Sequence, residues 1–202
     1  MIHLVLLDTS QNKEFRREVQ QWLATCDYKS HTDLQESVGM QGLADLPREA
    51  HTVHVDSACG GIYNRFARFA QTTLVCFLED DVIPPLDAYV RLIKQFTPDV
   101  ASVSAAYFKR FSPSVPVPWE WSTKGHPVDM PRGQGVTEVG GNGFGCVVLR
   151  GEILCRTVFR RGPLSYCFDH NFYKDLVYEQ KRKALVDWDC VCRHHSDASV
   201  WS

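Results

Sequence analysis

The chain has 202 residues, of which 44% are apolar and 23% are charged, and its formal net charge is −2. This length allows one sizeable core or at most two small domains, and the composition is that of an ordinary globular protein, not of a disordered or fibrous one. The small net charge predicts no general attraction to nucleic acid or to anionic membranes.

The first ten residues, MIHLVLLDTS, lack the basic segment of a secretory leader, and no apolar run approaches the ~18 residues of a membrane span. The eight cysteines are an even number, which permits disulfides. Cys76 and Cys146 nevertheless fall within apolar, strand-like runs, where a buried thiol behaves as a small hydrophobic group. We therefore expect a soluble, reduced protein of the cytoplasm without a transmembrane segment.

The first half of the chain alternates strand-like and helix-like segments. Short apolar runs predict strands over residues 2–8, 51–56, 73–81 and 100–108. Helical spacing of apolar residues predicts helices over residues 11–26, 61–71 and 86–96. This alternation predicts an α/β fold with a mixed, mostly parallel central sheet flanked by helices, and such sheets bind ligands beyond the carboxyl ends of their strands.

The second half begins with an irregular segment, residues 109–135, which holds five prolines and two tryptophans. A segment this long without periodicity is typical of a lid or binding loop, so we expect it to be mobile. Residues 136–150 then predict a strand, a glycine-rich turn and a second strand. Residues 169–183 predict a helix, and residues 184–195 predict an alternating strand that ends in two histidines.

Three adjacent carboxylates, Glu79, Asp80 and Asp81, close the apolar run in the stretch LVCFLEDDVIPP. Like charges packed this closely repel one another, so a cation would stabilise them. Mg²⁺ and Mn²⁺ typically bind one or two carboxylates together with substrate phosphates and water. The triplet therefore indicates a divalent metal that holds a diphosphate, although a solvated acidic turn at a strand end would use the same residues.

Around this triplet the chain resembles the A-type-fold glycosyltransferases, especially the family 2-like enzymes that use nucleoside-diphosphate sugars. In that family a helix with an Arg-Asn pair precedes a strand that ends in an Asp-x-Asp motif. Here Asn64 lies 15 residues before Glu79, and Tyr63 stands where the arginine usually is. The resemblance implies that Asp81 binds Mn²⁺ or Mg²⁺ directly, and that Asn64, Glu79 and Asp80 contribute to donor binding.

The resemblance continues in the second half of the chain. The stretch GNGFGCVVLRGEIL is similar to the family's small-residue turn, strand and helix start, which implies donor contacts at Asn142 and Gly143. The stretch from residue 168 to residue 195 is similar to the family's acceptor helix and its terminal strand. It implies that Asp169 activates the acceptor hydroxyl and that His194 completes the metal site. A helix-capping role for Asp169 and metal binding by His195 instead are the alternatives.

Other positions of the resemblance are less regular. Phe168 replaces the glutamate that usually precedes the family's aspartate, and Asn171 replaces an aspartate two positions after it. Asp8, which follows the first strand, stands where this fold contacts the nucleotide. Trp119 and Trp121 are candidates for acceptor binding because aromatic rings stack on sugars and bases, with ordinary packing as the alternative.

The sequence thus predicts one domain over residues 1–202, with a donor-binding half (1–108), a mobile loop (109–135) and an acceptor and metal-completing half (136–202). The predicted activity is transfer of a sugar from a UDP- or GDP-sugar to a hydroxyl of a glycan, a lipid-linked sugar or a modified nucleobase in DNA. A non-catalytic nucleotide-sugar-binding module is one alternative. A nucleotidyltransferase is another, but residues 8–17 lack its glycine-rich, basic loop.

Overall fold

The computed structural model describes residues 2–7, 74–79, 82–109, 112–160 and 167–194, with the backbone alone for residues 2–7, Pro113 and Cys155. The strands are β1 (Ile2–Leu7), β2 (Leu74–Glu79), β3 (Val82–Ile83), β4 (Val100–Ala106), β5 (Phe108–Lys109), β6 (Ser112–Pro116), β7 (Trp119–Trp121), β8 (Pro127–Asp129), β9 (Val136–Val139), β10 (Cys146–Arg150), β11 (Lys183–Val191) and β12 (Arg193–His194). The α-helices are α1 (Ala88–Ile93), α2 (Gly151–Arg156) and α3 (Phe168–Tyr173), and a π-helical turn follows α3 over Lys174–Glu179.

A six-stranded sheet in the order β1-β2-β10-β4-β11-β9 forms the centre of the described chain. The pairs β1/β2 and β4/β11 are parallel, whereas the other three neighbouring pairs are antiparallel. The predicted mixed α/β sheet is confirmed. The sheet was also predicted to be mostly parallel, and this is wrong for the described sheet, because β10 separates the two parallel pairs and β9 pairs antiparallel. The carbonyl of Gly145 accepts the N–H of Glu79 at 2.9 Å, so β10 begins where β2 ends and runs back along it.

Alternate residues of the central strands face two separate cores. Val75 and Phe77 of β2 lie in the first core, and Cys76 and Leu78 lie in the second. Residues of α3 and the π-helical turn join the first core, whereas residues of α1 join the second. A strand buried on both faces needs apolar side chains at every position, which explains the continuous apolar run before the acidic triplet.

The described helices lie close to their predicted positions. Residues 86–96 were predicted to be helical and contain α1, while the helix predicted over 169–183 divides into α3 and the π-helical turn. Phe172, Tyr173 and Leu176 of this second region are fully buried, as their spacing predicts. No helix in the described ranges has the length and apolar character needed to cross a membrane.

The strand predicted over 184–195 becomes β11 and β12, which Cys192 separates. The strands and helices predicted over 11–26, 51–56 and 61–71 lie outside the described residues.

The proline-rich segment of residues 109–135 contains short antiparallel strands. β5 pairs with β6, and β7 pairs with β8. Trp119 also forms an isolated bridge with Gly141, with its N–H donating to the Gly141 carbonyl at 3.0 Å. The segment is thereby joined to the glycine-rich stretch between β9 and β10, and its mobility stays a prediction.

Four cysteine thiols, Cys76, Cys146, Cys190 and Cys192, lie buried in the second core, whereas Cys167 is exposed. Burial raises the pKa of the Cys190 and Cys192 thiols well above the usual range. Both thiols therefore stay protonated and pack as small apolar groups, as expected for cysteines inside apolar strands.

A buried carboxylate, Asp187, fastens α1 to β11. The side chain accepts hydrogen bonds from Nε of Arg91 at 3.1 Å and from its Nη2 at 3.3 Å. It also accepts the backbone N–H groups of Asp189 at 3.0 Å and of Cys190 at 3.2 Å. Because the register between β11 and β4 shifts directly after Asp187, this one carboxylate stabilises both the irregular strand and the helix packed on it.

We expect Asp187→Asn to lower the free energy of unfolding by about 2–3 kcal/mol, because Arg91 loses its charged acceptor and an amide cannot satisfy every donor. Asp87→Asn is the matched control, since Asp87 contacts the same arginine at 3.7 Å but is 63% exposed. Its effect should stay below about 1 kcal/mol. Urea denaturation of both variants measures the difference, and equal losses would contradict the assigned role of Asp187.

Candidate functional site

The carboxyl ends of β1, β2, β4 and β11 lie at one edge of the sheet. β1 and β2 end together, with Leu7 opposite Glu79. The next residues in the sequence are Asp8 and Asp80, so two of the predicted donor-binding residues directly follow paired positions. Asp8, Asn64, Asp80 and Asp81 lie outside the described residues, and their positions at this edge stay predictions.

A short antiparallel ladder joins β3, which follows the acidic triplet, to β12, the last of the described strands. His194 pairs with Val82, and Arg193 pairs with Ile83. Val82 directly follows Asp81 in the sequence. The backbone of the predicted histidine ligand therefore lies opposite the neighbour of the predicted aspartate ligand.

The ring of His194 is held in one orientation. Its Nδ1 lies 2.8 Å from the carbonyl oxygen of Phe108, and its ring lies edge-on to Tyr107 with the centroids 5.5 Å apart. A carbonyl oxygen can only accept, so Nδ1 carries the proton and Nε2 is the ring nitrogen with the lone pair. Histidines that bind metals are commonly oriented in this way by a carbonyl behind the ring, so this donor fits a metal ion.

The glycine-rich stretch before β10 is closely packed. Asn142 is 1% exposed; its Nδ2 donates to the carbonyl of Ala105 at 3.1 Å, and its Oδ1 accepts the N–H of Gly143 at 3.0 Å. The Tyr107 hydroxyl accepts the N–H of Gly145 at 3.0 Å. A Cβ at Gly143 would lie 2.1 Å from that hydroxyl oxygen. The stretch thus has a packing role, and the donor contacts of Asn142 and Gly143 stay predictions.

Asp169 lies in the first turn of α3 and is half-buried. Its Oδ1 accepts the backbone N–H of His170 at 2.8 Å, while Cys167 at the N-cap position makes no side-chain capping bond. The carboxylate therefore supports the start of the helix. A carboxylate has several acceptor sites, so this bond is compatible with the predicted role as a base, which stays a prediction.

The two departures from the family pattern around Asp169 are structural residues. Phe168 is buried, with its ring 5.7 Å from that of Phe144 and 5.8 Å from that of Phe159. Asn171 is 4% exposed and donates from Nδ2 to the carbonyl of Cys167 at 3.0 Å. Phe168 therefore stabilises the core, and Asn171 stabilises the start of the helix. A carboxylate at either position would be buried.

The two tryptophans of the proline-rich segment differ in environment. Trp119 is 3% exposed, and its ring lies 4.5 Å from that of His170 and 5.7 Å from that of Tyr173. Trp121 is partly exposed and donates from Nε1 to the carbonyl of Gly140 at 2.7 Å. Packing is thus the observed role of Trp119, and acceptor binding by either ring stays a prediction.

The side chains of Cys167 and His170 lie beside Asp169, and neither was predicted from the sequence to be a site residue. Ligand atoms of Cys167, Asp169 and His170 all lie within 4.8 Å of one another. Burial, followed by the charge of Lys109, lowers the pKa of His170, so its ring is neutral at neutral pH. The sequence pattern that could have predicted this cluster is the short stretch Cys-Phe-Asp-His. It puts three kinds of metal-binding side chain within about one helical turn.

No protein-family profile matches the chain, and a search of curated proteins gives no match. Among solved structures, A197 from STIV is similar with a TM-score of 0.52 and 18% identity, over 70% of this chain and 67% of that one. UDP-glucose pyrophosphorylase complexed with UDP-glucose has a TM-score of 0.46 and 10% identity, over 99% and 76% of the two chains.

HddC from Yersinia pseudotuberculosis has a TM-score of 0.35 and 14% identity, over 69% of this chain and 57% of that one. The likeness to A197 indicates a shared fold, and the two lower scores do not extend that conclusion.

We expect Gly143→Ala to destabilise the protein by about 1–3 kcal/mol, because the new methyl group would collide with the Tyr107 hydroxyl. Tyr107→Phe alone should cost about 1–2 kcal/mol, since it leaves the N–H of Gly145 without this acceptor. The double variant should lose less than the sum, because removing the hydroxyl makes room for the methyl group. Chemical denaturation of all three variants measures this coupling, and strict additivity would show that the collision does not occur.

Proposed function

We propose that this protein is a metal-dependent glycosyltransferase of the A-type fold, which moves a sugar from a nucleoside-diphosphate sugar to an acceptor hydroxyl. The observation that supports it best is the ladder in which His194 lies opposite Val82, directly after Asp81. An aspartate and a histidine that share one ion must come from segments that meet in space. These two segments do meet, although they are far apart in the sequence.

Asp81 and His194 would hold the ion, and the residues present fit it. The hydrogen bond from Nδ1 of His194 to the Phe108 carbonyl places the proton on Nδ1, so Nε2 would be the coordinating atom. An imidazole ligand favours Mn²⁺ over Mg²⁺, which prefers oxygen ligands. When bound, the ion neutralises the charge that develops on the departing diphosphate.

The remaining residues would position the two substrates. Glu79 closes β2 beside Gly145, and we assign to it and to Asp80 contacts with the donor. Asp169 would accept the proton of the acceptor hydroxyl as its oxygen attacks the anomeric carbon and the bond from that carbon to the diphosphate breaks. Trp121, the more exposed of the two tryptophans, is the better candidate for stacking on the acceptor.

A thermal-shift experiment with UDP or GDP, each with and without Mn²⁺, tests the metal site. We expect a rise in Tm only when nucleotide and metal are both present, of about 5–10 °C at a hundredfold excess over Kd. Asp81→Ala and His194→Ala should abolish the rise. Asp87→Asn, which removes an exposed carboxylate a few residues further on, should leave it unchanged. Stabilisation that needs no metal and survives Asp81→Ala would overturn the proposal.

Nucleotide release from UDP- or GDP-sugars tests the reaction itself, with glycan, lipid-linked sugar and hydroxymethylated DNA as acceptors. Asp169→Asn should lower the rate by about 100-fold or more and leave the metal-dependent thermal shift intact, because it removes the base but not the diphosphate site.

Two results would identify the alternatives instead. Pyrophosphate release from a nucleoside triphosphate and a sugar 1-phosphate, without diphosphate release from a nucleotide sugar, would identify a nucleotidyltransferase. Nucleotide-sugar binding that Asp169→Asn leaves unchanged, without any turnover, would identify a binding module.

A further inference from the structure

The geometry points to a Zn²⁺-class metal site at the start of α3, formed by Cys167, Asp169 and His170. We call these three residues the α3 trio. This site is separate from the one assigned to Asp81 and His194 and uses a different set of donor atoms. It rests on the contacts around α3 alone. It uses the Asp169 carboxylate that the proposed transfer reaction assigns as its base, so an ion held here would withdraw that base and inhibit the transfer.

The donor atoms of the α3 trio select the class of ion. A thiolate, a carboxylate and an imidazole are the three kinds of protein ligand that Zn²⁺ binds. Mg²⁺ and Ca²⁺ prefer oxygen ligands, so a site with a thiolate and an imidazole discriminates against both. Three protein ligands also leave one position of a tetrahedral ion for water or another small ligand.

The distances in the α3 trio are within reach of a metal site. All ligand atoms lie within 4.8 Å of one another, whereas bonds of about 2.0–2.3 Å to a tetrahedral Zn²⁺ place its ligands about 3.3–3.8 Å apart. Because packing restricts His170, the rotations that close this gap fall mainly to Cys167, which is exposed, and to Asp169, which is half-buried. The side chain of Asn171 fixes the backbone of Cys167 to α3 by donating to the Cys167 carbonyl at 3.0 Å.

The surroundings of the α3 trio give a second observation. The ring of His170 lies edge-on to Trp119, with the centroids 4.5 Å apart, so packing restricts the orientation of this ligand. Trp119 is 3% exposed, and its indole N–H has no acceptor among the described residues. A buried donor without an acceptor is unfavourable. The indole N–H has no lone pair and cannot bind a cation itself; a water or anion in the open position of the ion would supply the acceptor that this donor lacks.

Cobalt spectroscopy on the full chain, stripped with a chelator, tests this site without any nucleotide. Co²⁺ replaces Zn²⁺ in such sites and reports a bound thiolate by a near-ultraviolet charge-transfer band. We expect one equivalent of Co²⁺ to give this band together with visible bands of tetrahedral cobalt, and Zn²⁺ to displace it. Metal analysis after dialysis should then find one zinc per chain.

The variants distinguish the α3 trio from other donors. Cys167→Ser should remove the charge-transfer band, and His170→Asn should weaken Co²⁺ binding about tenfold or more. His126→Asn, at an exposed histidine, and Asp81→Ala should keep the wild-type spectrum. Since Cys167 is exposed, its conservative serine variant should fold, and circular dichroism checks this for both substitutions.

Three results would overturn the site: no charge-transfer band with Co²⁺, a band that persists in Cys167→Ser, or zinc retention equal in the wild type and both trio variants. Each of them would leave unchanged both the nucleotide-dependent thermal shift of the wild type and its loss in Asp81→Ala. Failure of the α3 trio as a metal site is therefore distinguishable from failure of the proposed transfer reaction.

Discussion

The backbone ladder between β3 and β12 is the constraint on which the candidate site depends. β2 and β11 are not neighbours in the central sheet, yet the segments that follow them pair beyond its edge. The ladder is made by main-chain groups, so it positions His194 without relying on the identity of the side chains. The pairing of β3 with β12 therefore does not depend on which side chains precede Val82.

Much of the local structure was predictable because burial on both faces leaves a clear pattern in the sequence. β2 and β10 are apolar except for their last residues, β4 is fully buried with two serines among its apolar residues, and α1 and α3 carry apolar residues at helical spacing. The position of β10 between β2 and β4 was not predictable, because it depends on contacts between segments that are distant in the sequence. The spacing of apolar residues in the sequence does not distinguish the π-helical turn from a continuation of α3. Leu176 fits the apolar face of one continuous helix, and it is also buried in the π-helical turn.

The candidate site was predictable only where its residues have distinctive side chains. His194 could be proposed from its place at the end of an alternating strand, whereas the Phe108 carbonyl that orients its ring is a backbone group and leaves no sequence signal. The burial of Asn142 and Trp119 comes from packing of the proline-rich segment against the glycine-rich stretch. His170 was missed because its position beside Trp119 is set by the same packing.

The uneven burial of the cysteines has a practical consequence. Cys190 and Cys192 keep their protons and lie in the core, so a thiol-specific alkylating reagent should react with Cys167 well before either of them in the native protein. A fluorophore attached at Cys167 would stand within one helical turn of Asp169. Attached to the metal-free protein, such a probe would report substrates that arrive near the start of α3.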